Sequence, residues 1–215
     1  MSQQLNTGLR LAVFASGGGS NFQAILDNVV AGVLPLTPVL CVSNTRKAGA
    51  LARAERHGIA TLVLNPNDFT EEAIYARTLL KELAVHRVTF IALAGYLRKI
   101  PAAVVSEFRN RMVNIHPSLL PAFGGKGLYG KRVHESVLRA NVRTSGATVH
   151  LVSEEYDSGP IVLQESVPVC DGDTPEILAA RVLEVEHKLY PKALRLFAEG
   201  RVTIEGRHVR IITPS

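Results

Sequence analysis

The chain has 215 residues, 47% hydrophobic and 20% charged, a composition typical of globular proteins and too apolar for disorder. Its net charge of +5 points toward an anionic ligand without identifying one. No apolar run approaches the roughly 20 residues of a membrane span, the N-terminal segment has no apolar stretch behind a basic start, and Cys41 and Cys170 form neither a CxxC pair nor a disulfide framework. A single cytoplasmic domain with two reduced thiols is expected, without membrane contact.

In chain order, Leu11–Ala15 is a short apolar run closed by Ser16 and three glycines, which predicts a buried strand. Apolar residues at 22, 25, 26, 29 and 30 then predict a helix over 21–31, with Ser20 as its N-cap. A second strand follows at 38–42, and a second helix over 48–57 closed by Gly58. After a third strand at 61–64, Asp68 and Glu71 suggest a near capping box opening a helix that runs to about His86. The fourth and fifth strands are expected at 88–94 and 112–115. Strands that are continuously apolar and alternate with helices predict an α/β fold, with a doubly wound, mainly parallel sheet covered on both faces.

The segment 117–130 breaks that rhythm with two prolines and four glycines, and is expected to be a functional loop. Strands at 148–152 and 161–167 flank the polar turn SEEYDSGP. Thr174-Pro175 opens a long helix, with apolar residues at 178, 182, 185, 189, 193 and 196. A terminal hairpin is predicted from 202–204 and 208–212 around Glu205-Gly206.

Three places carry candidate chemistry. The run Ser16-Gly17-Gly18-Gly19-Ser20-Asn21 joins the first strand to the first helix, where free N–H groups and the helix dipole favour an anion. A dinucleotide fingerprint would need a glycine where Phe22 stands, and no carboxylate follows the second strand. A monophosphate cradle therefore suits the loop best; a plain structural turn, or an NADP site with Arg46 on the 2′-phosphate, stays open. Asn114 and His116 share one side of the fifth strand at its end, where open α/β sheets place ligands. An imidazole can exchange a proton near neutral pH and an amide can stabilise an oxyanion, although a capping Asn and a structural His fit as well. Asp157 would favour a charged imidazole if the two met, or simply cap the turn before Pro160.

Taken together, SGGGSN, NIHPSLLP, GKGLYG followed by VH, and EYDSGPIVLQ resemble the phosphoribosylglycinamide formyltransferases, folate-dependent enzymes of purine synthesis. The likeness runs from Leu11 to about Gly200. It implies a Rossmann-like formyltransferase fold with an antiparallel C-terminal extension. One domain is expected over 1–215, with a phosphate-binding half to about residue 100 and a folate-binding and catalytic half beyond it. The resemblance further implies Asn114, His116 and Asp157 as the catalytic set, and Gly19, Ser20, Asn21 and Glu186 as contacts of the ribonucleotide. It implies Leu97, Arg98, Lys99 and Ile100, with Asn114, as the folate contacts. The co-substrate would be 10-formyltetrahydrofolate and the acceptor glycinamide ribonucleotide, with no metal; a charged His116, kept so by Asp157, would help Asn114 hold the oxyanion. Where some relatives carry an arginine near the folate this chain has Glu71-Glu72, and its glycine-rich loop is longer than theirs.

Two relatives with a similar Asn–His–Asp set differ in length: methionyl-tRNA formyltransferase adds a C-terminal tRNA domain, and formyltetrahydrofolate deformylase an N-terminal regulatory one. A nucleic-acid binding module would explain the charge but not the composition, which has no Trp and 6% aromatics for base stacking. Small-molecule partners are expected, no nucleic acid, and a monomer or homodimer. The charge is also local. Between Arg98 and Arg143 there are nine basic residues and two acidic ones, +7, which leaves −2 for the rest. If this cluster steers anionic substrates toward the fifth strand, their KM should rise with ionic strength; a flat dependence would exclude steering.

Overall fold

The structure is a computed structural model and describes residues 8–213. Its main sheet has seven strands in the order β3-β2-β1-β4-β5-β6-β7. These are β1 (Leu9–Phe14), β2 (Leu36–Ser43), β3 (Ala60–Val63), β4 (Phe90–Leu93), β5 (Met112–His116), β6 (Thr144–Leu151) and β7 (Ile161–Pro168). The first five are parallel, while β6 runs antiparallel to β5 and β7 to β6. β8 (Val202–Glu205) and β9 (His208–Ile211) form a separate hairpin, as the sequence predicts. The chain leaves β1 toward β2 and β3, then returns to its other side for β4. This reversal opens a crevice at the carboxyl ends of β1 and β4.

Both faces of the sheet are covered, which is why the central strands are apolar throughout. Leu11 and Val13 face one cluster with α1 (Ser20–Val30), α2 (Gly49–Arg56), α5 (Lys131–Arg139) and α6 (Pro175–Ala198). Ala12 and Phe14 face the other, with α3 (Glu72–Val85) and α4 (Ala102–Glu107). Along α6, Leu178, Val182, Leu189, Ala193 and Leu196 are buried as the helical period predicts, and Val185 is half-buried. Thr174 caps that helix, its hydroxyl accepting from the Ile177 N–H at 3.3 Å, with Pro175 in the first position.

Local readings change in four places. Ser20 is the first residue of α1 rather than its N-cap. Gly19 takes that position in the left-handed region at φ 74°, where a Cβ would lie 2.8 Å from that of Ala50, so only glycine lets α2 approach. No capping box forms at α3: Asp68 ends a short 3-10 turn (Pro66–Asp68), and the Glu71 side chain makes no cap bond. The short helices α4 and α5 lie where the hydrophobic period suggests none. α4 has six residues with two β-branched valines, and α5 shows only Val133, His134 and Val137 to the interior.

The antiparallel step at β6 anchors the loop that follows β5. Thr148 lies opposite His116, and its hydroxyl donates to the Ser118 carbonyl at 2.6 Å. The same oxygen accepts from the Leu120 N–H at 3.0 Å and from Gln164 Nε2 at 2.9 Å, which fills its hydrogen-bonding capacity. Thr148→Val should therefore strand the buried Ser118 carbonyl and Leu120 N–H and lower stability by about 1–3 kcal/mol, while the exposed Gln164 amide keeps its bond to the Leu120 carbonyl. Denaturant unfolding would measure this, with Thr148→Ser expected to stay near the parent.

Candidate active site at the ends of the central strands

The candidate groups come to this crevice because strand ends deliver them there. Ser16, just past β1, donates through its N–H to the Gly95 carbonyl at 3.0 Å, and its hydroxyl accepts from the Leu97 N–H at 2.9 Å. One residue thus fixes the turn after β4 against the end of β1. On β5 the alternation brings Asn114 and His116 to one side, as expected.

His116 is 4% exposed and is held at both ring nitrogens. Nε2 lies 2.9 Å from the Phe123 carbonyl, which can only accept, and Nδ1 lies 3.6 Å from Asp157 Oδ2, an ion-pair distance rather than a hydrogen bond. Phe123 and Asp157 both have backbones in the left-handed region, at φ 56° and 52°. That conformation is uncommon for Asp and costly for a bulky aromatic residue, so backbone strain accompanies both contacts of the imidazole. The glycine-rich loop grips the same carboxylate, the Gly125 N–H donating to Asp157 Oδ2 at 2.8 Å.

Burial pulls His116 below the ordinary imidazole value; Asp157 and the Phe123 carbonyl oppose this, and His150 reinforces it. The carboxylate's pull toward a charged ring, anticipated from the sequence, is therefore present but outweighed by desolvation. Burial alone would raise Asp157, yet His150 and His116 in their charged forms, together with the Gly125 N–H, hold it below the usual carboxylate value.

His150 is the residue that the sequence reading missed. It sits directly across from Asn114 in the β5–β6 register, 2% exposed. Its Nδ1 lies 2.9 Å from the Leu151 carbonyl and so carries the proton in the neutral ring. Nε2 is then the acceptor, taking one hydrogen of the Asn114 amide nitrogen at 3.1 Å. This fixes which end of the amide is nitrogen and leaves its second hydrogen for a ligand. Asp157 Oδ1 lies 3.6 Å from the same Nε2. The signal in the sequence was the alternation of β6, which puts 148 and 150 on one face.

Two cavities meet here. The larger, about 570 Å³, is lined by Asn21, Leu97, Asn114, His116, His134, Asp157 and Glu186 among others. The smaller, about 90 Å³, is lined by Arg98, Lys99, Ile100, His150 and the turn 152–157. Asn114 and Asp157 line both, as do Tyr96 and Tyr156. Of the residues expected together, Leu97 falls in the larger cavity, apart from Arg98, Lys99 and Ile100. Gly19 and Ser20 line neither cavity, nor do Glu71 and Glu72.

In the wall of the larger cavity Asn21 Nδ2 donates to Glu186 Oε2 at 2.7 Å. Burial drives the Glu186 carboxyl from 4.5 up to about 7, against the Asn21 bond that lowers it. Asn21 Oδ1 is buried without a partner among the described residues.

This fold and site define a family. Residues 9–194 match the sequence model of the formyl transferase family, and the chain belongs to it. Within it, the chain is 46% identical to the chloroplastic phosphoribosylglycinamide formyltransferase of Arabidopsis thaliana, over 90% of this chain and 66% of that one. It is 36% identical to the phosphoribosylglycinamide formyltransferase of Bacillus subtilis, over 86% of this chain and 93% of that one. Among solved structures it is similar to glycinamide ribonucleotide transformylase 1 from Symbiobacterium toebii, with a TM-score of 0.91 at 41% identity, covering 98% of this chain and 96% of that one.

A carboxyl raised in the folded state adds stability in full below its unfolded value, and loses it as pH rises through the folded one. Moving Glu186 from 4.5 to about 7 corresponds to on the order of 3 kcal/mol lost by pH 8. Glu186→Gln should therefore be more stable than the parent at pH 8 and show no such gain below pH 4.5. Thermal melts at both pH values check this, and an equal shift at both would contradict it.

Proposed function

We propose that the chain transfers the formyl group of 10-formyltetrahydrofolate to the primary amine of glycinamide ribonucleotide, a step of purine synthesis. The observation that supports this reading is the junction of the two cavities, where Asn114 and Asp157 border both and His116 adjoins them. A formyl donor in the smaller cavity and an amine in the larger would meet at that point. Arg98, Lys99 and Ile100 would border the folate in the smaller cavity, while Asn21 and Glu186 would hold the ribonucleotide in the larger. Gly19 and Ser20 would contribute backbone at the open start of α1. A cytoplasmic setting accords with two free cysteines, Cys41 buried and Cys170 exposed.

The reaction begins with the amine nitrogen attacking the formyl carbon, whose C=O pair moves onto oxygen. Asn114 donates to that oxyanion with the hydrogen His150 leaves free, in a site where a fixed dipole acts with little screening. Burial keeps the resting His116 largely neutral at pH 7, so the ring can take the proton that the attacking amine must lose. Once charged, it lies between the Phe123 carbonyl and the Asp157 carboxylate, both of which stabilise the imidazolium. Asp157 also holds water for proton relay. Collapse of the intermediate breaks the bond to N10 of the folate, which receives the proton, and releases formylglycinamide ribonucleotide and tetrahydrofolate.

His116→Ala and Asp157→Ala should each lower turnover on the order of 10²–10³-fold while changing the ribonucleotide KM much less. Absorbance of formyl-folate consumption, with and without glycinamide ribonucleotide, measures both. Consumption independent of the amine would indicate a hydrolase instead, and near-parent turnover in either variant would remove its assigned role.

A further inference from the structure

His134 is an imidazole that nothing in this reaction uses. It lies on the first turn of α5, 4% exposed, and lines the larger cavity but not the smaller. Its Nδ1 is fully buried with no hydrogen-bond partner among the described residues. Buried polar groups are nearly always satisfied, so an orphan of this kind calls for a physical account.

The tautomer supplies one. A neutral imidazole carries its proton on one nitrogen only. Leaving a bare lone pair unpartnered is better tolerated than leaving an N–H unpartnered, as the rarity of orphaned buried N–H groups shows. The proton therefore belongs on Nε2, the nitrogen that is not sealed inside. Burial holds the ring below the ordinary imidazole value, and the nearby His116 opposes a charge on it further. His134 is thus fixed as a neutral donor, without the charge of a lysine or arginine.

We infer that His134 donates its Nε2–H to an acceptor oxygen on the glycinamide arm of the amine substrate; the inference rests on the reaction proposed above. The larger cavity selects the amine rather than the folate. Proximity to His116 selects the reacting end of that substrate over its phosphate, and a neutral donor matches a neutral amide carbonyl. Holding that carbonyl orients the adjacent amine toward the formyl carbon at the cavity junction.

Steady-state kinetics of His134→Leu and His134→Gln test this. Leucine removes the donor, whereas the glutamine amide nitrogen can occupy the place of Nε2. In His134→Leu the KM for glycinamide ribonucleotide should rise roughly five- to tenfold, the range of one neutral hydrogen bond, with the KM for formyl-folate unchanged. His134→Gln should stay within about twofold of the parent. An unchanged amine KM in His134→Leu, or both KM values rising together in both variants, would overturn the inference. Absence of amine-dependent formyl consumption in the parent would instead overturn the reaction itself. If His134→Leu fails to fold, imidazole nitrogen NMR of the parent protein decides. Nδ1 should be unprotonated and Nε2 protonated, and the Nε2 signal should move with glycinamide ribonucleotide but not with tetrahydrofolate. A ring protonated on Nδ1, or a signal unmoved by the ribonucleotide, overturns the inference.

Discussion

The site depends on the register of one antiparallel strand pair. β6 places His150 opposite Asn114 and Thr148 opposite His116, so each candidate group on β5 has its support directly across the ladder. The two supports do different things. His150 pins an amide, while Thr148 pins the loop that leaves His116. Strand side chains alternate with a period of two, so a slip of one residue would turn both supports to the opposite face and leave β5 carrying its groups unheld. The reversal from parallel to antiparallel at this point is thus a constraint of the site as much as of the sheet. A parallel neighbour would need a crossover, and could not return its chain to this end so directly.

From that register the strain can be followed outward. The chain leaves β5, is tied by Thr148 and Gln164, and reaches Phe123 in a left-handed conformation that aims its carbonyl at His116. On the other side Asp157 is left-handed as well, in a turn closed by the Ser153–Ser158 hydroxyl contact at 2.8 Å. Gly159 follows, where any Cβ would run into the Leu151 carbonyl. Two costly backbone conformations converge on one imidazole, each held by bonds formed elsewhere in the chain. Such strain is stable only where the surroundings over-determine it, and here they do so from two separate strands.

How much of this was legible follows from where each signal lies. The central strands announce themselves, because burial on both faces leaves runs such as LAVFA unbroken by polar residues. The Asn-x-His spacing was readable too, since alternation is a local property. Residues whose role depends on a partner far along the chain were not. Gly19 caps α1 in place of Ser20 because Ala50 comes close, and nothing within the loop reports that contact. His150 reads as an ordinary alternating strand residue until Asn114, 36 positions earlier, is seen across the ladder. Glu186 is marked as a ribonucleotide contact by the resemblance alone; its 7% exposure follows from α6 lying against α1 and bringing it to Asn21, which its local sequence does not report.

The placement of unsatisfied groups ties stability to binding. Four buried side-chain atoms lack partners among the described residues, and two of them, Asn21 Oδ1 and His134 Nδ1, belong to residues lining the larger cavity. Glu186 in the same cavity is held near neutrality by desolvation. A cavity filled with apolar side chains would make a more stable protein. The polar groups that do border the cavity, the second hydrogen of the Asn114 amide and the Glu186 carboxyl, instead leave hydrogen-bonding capacity that a polar ligand would fill, which offsets part of their desolvation cost on binding. The difference between the empty and filled states then appears as affinity. It also appears as selectivity, because an analogue lacking the matching hydroxyl or carbonyl would leave the same groups unpaired.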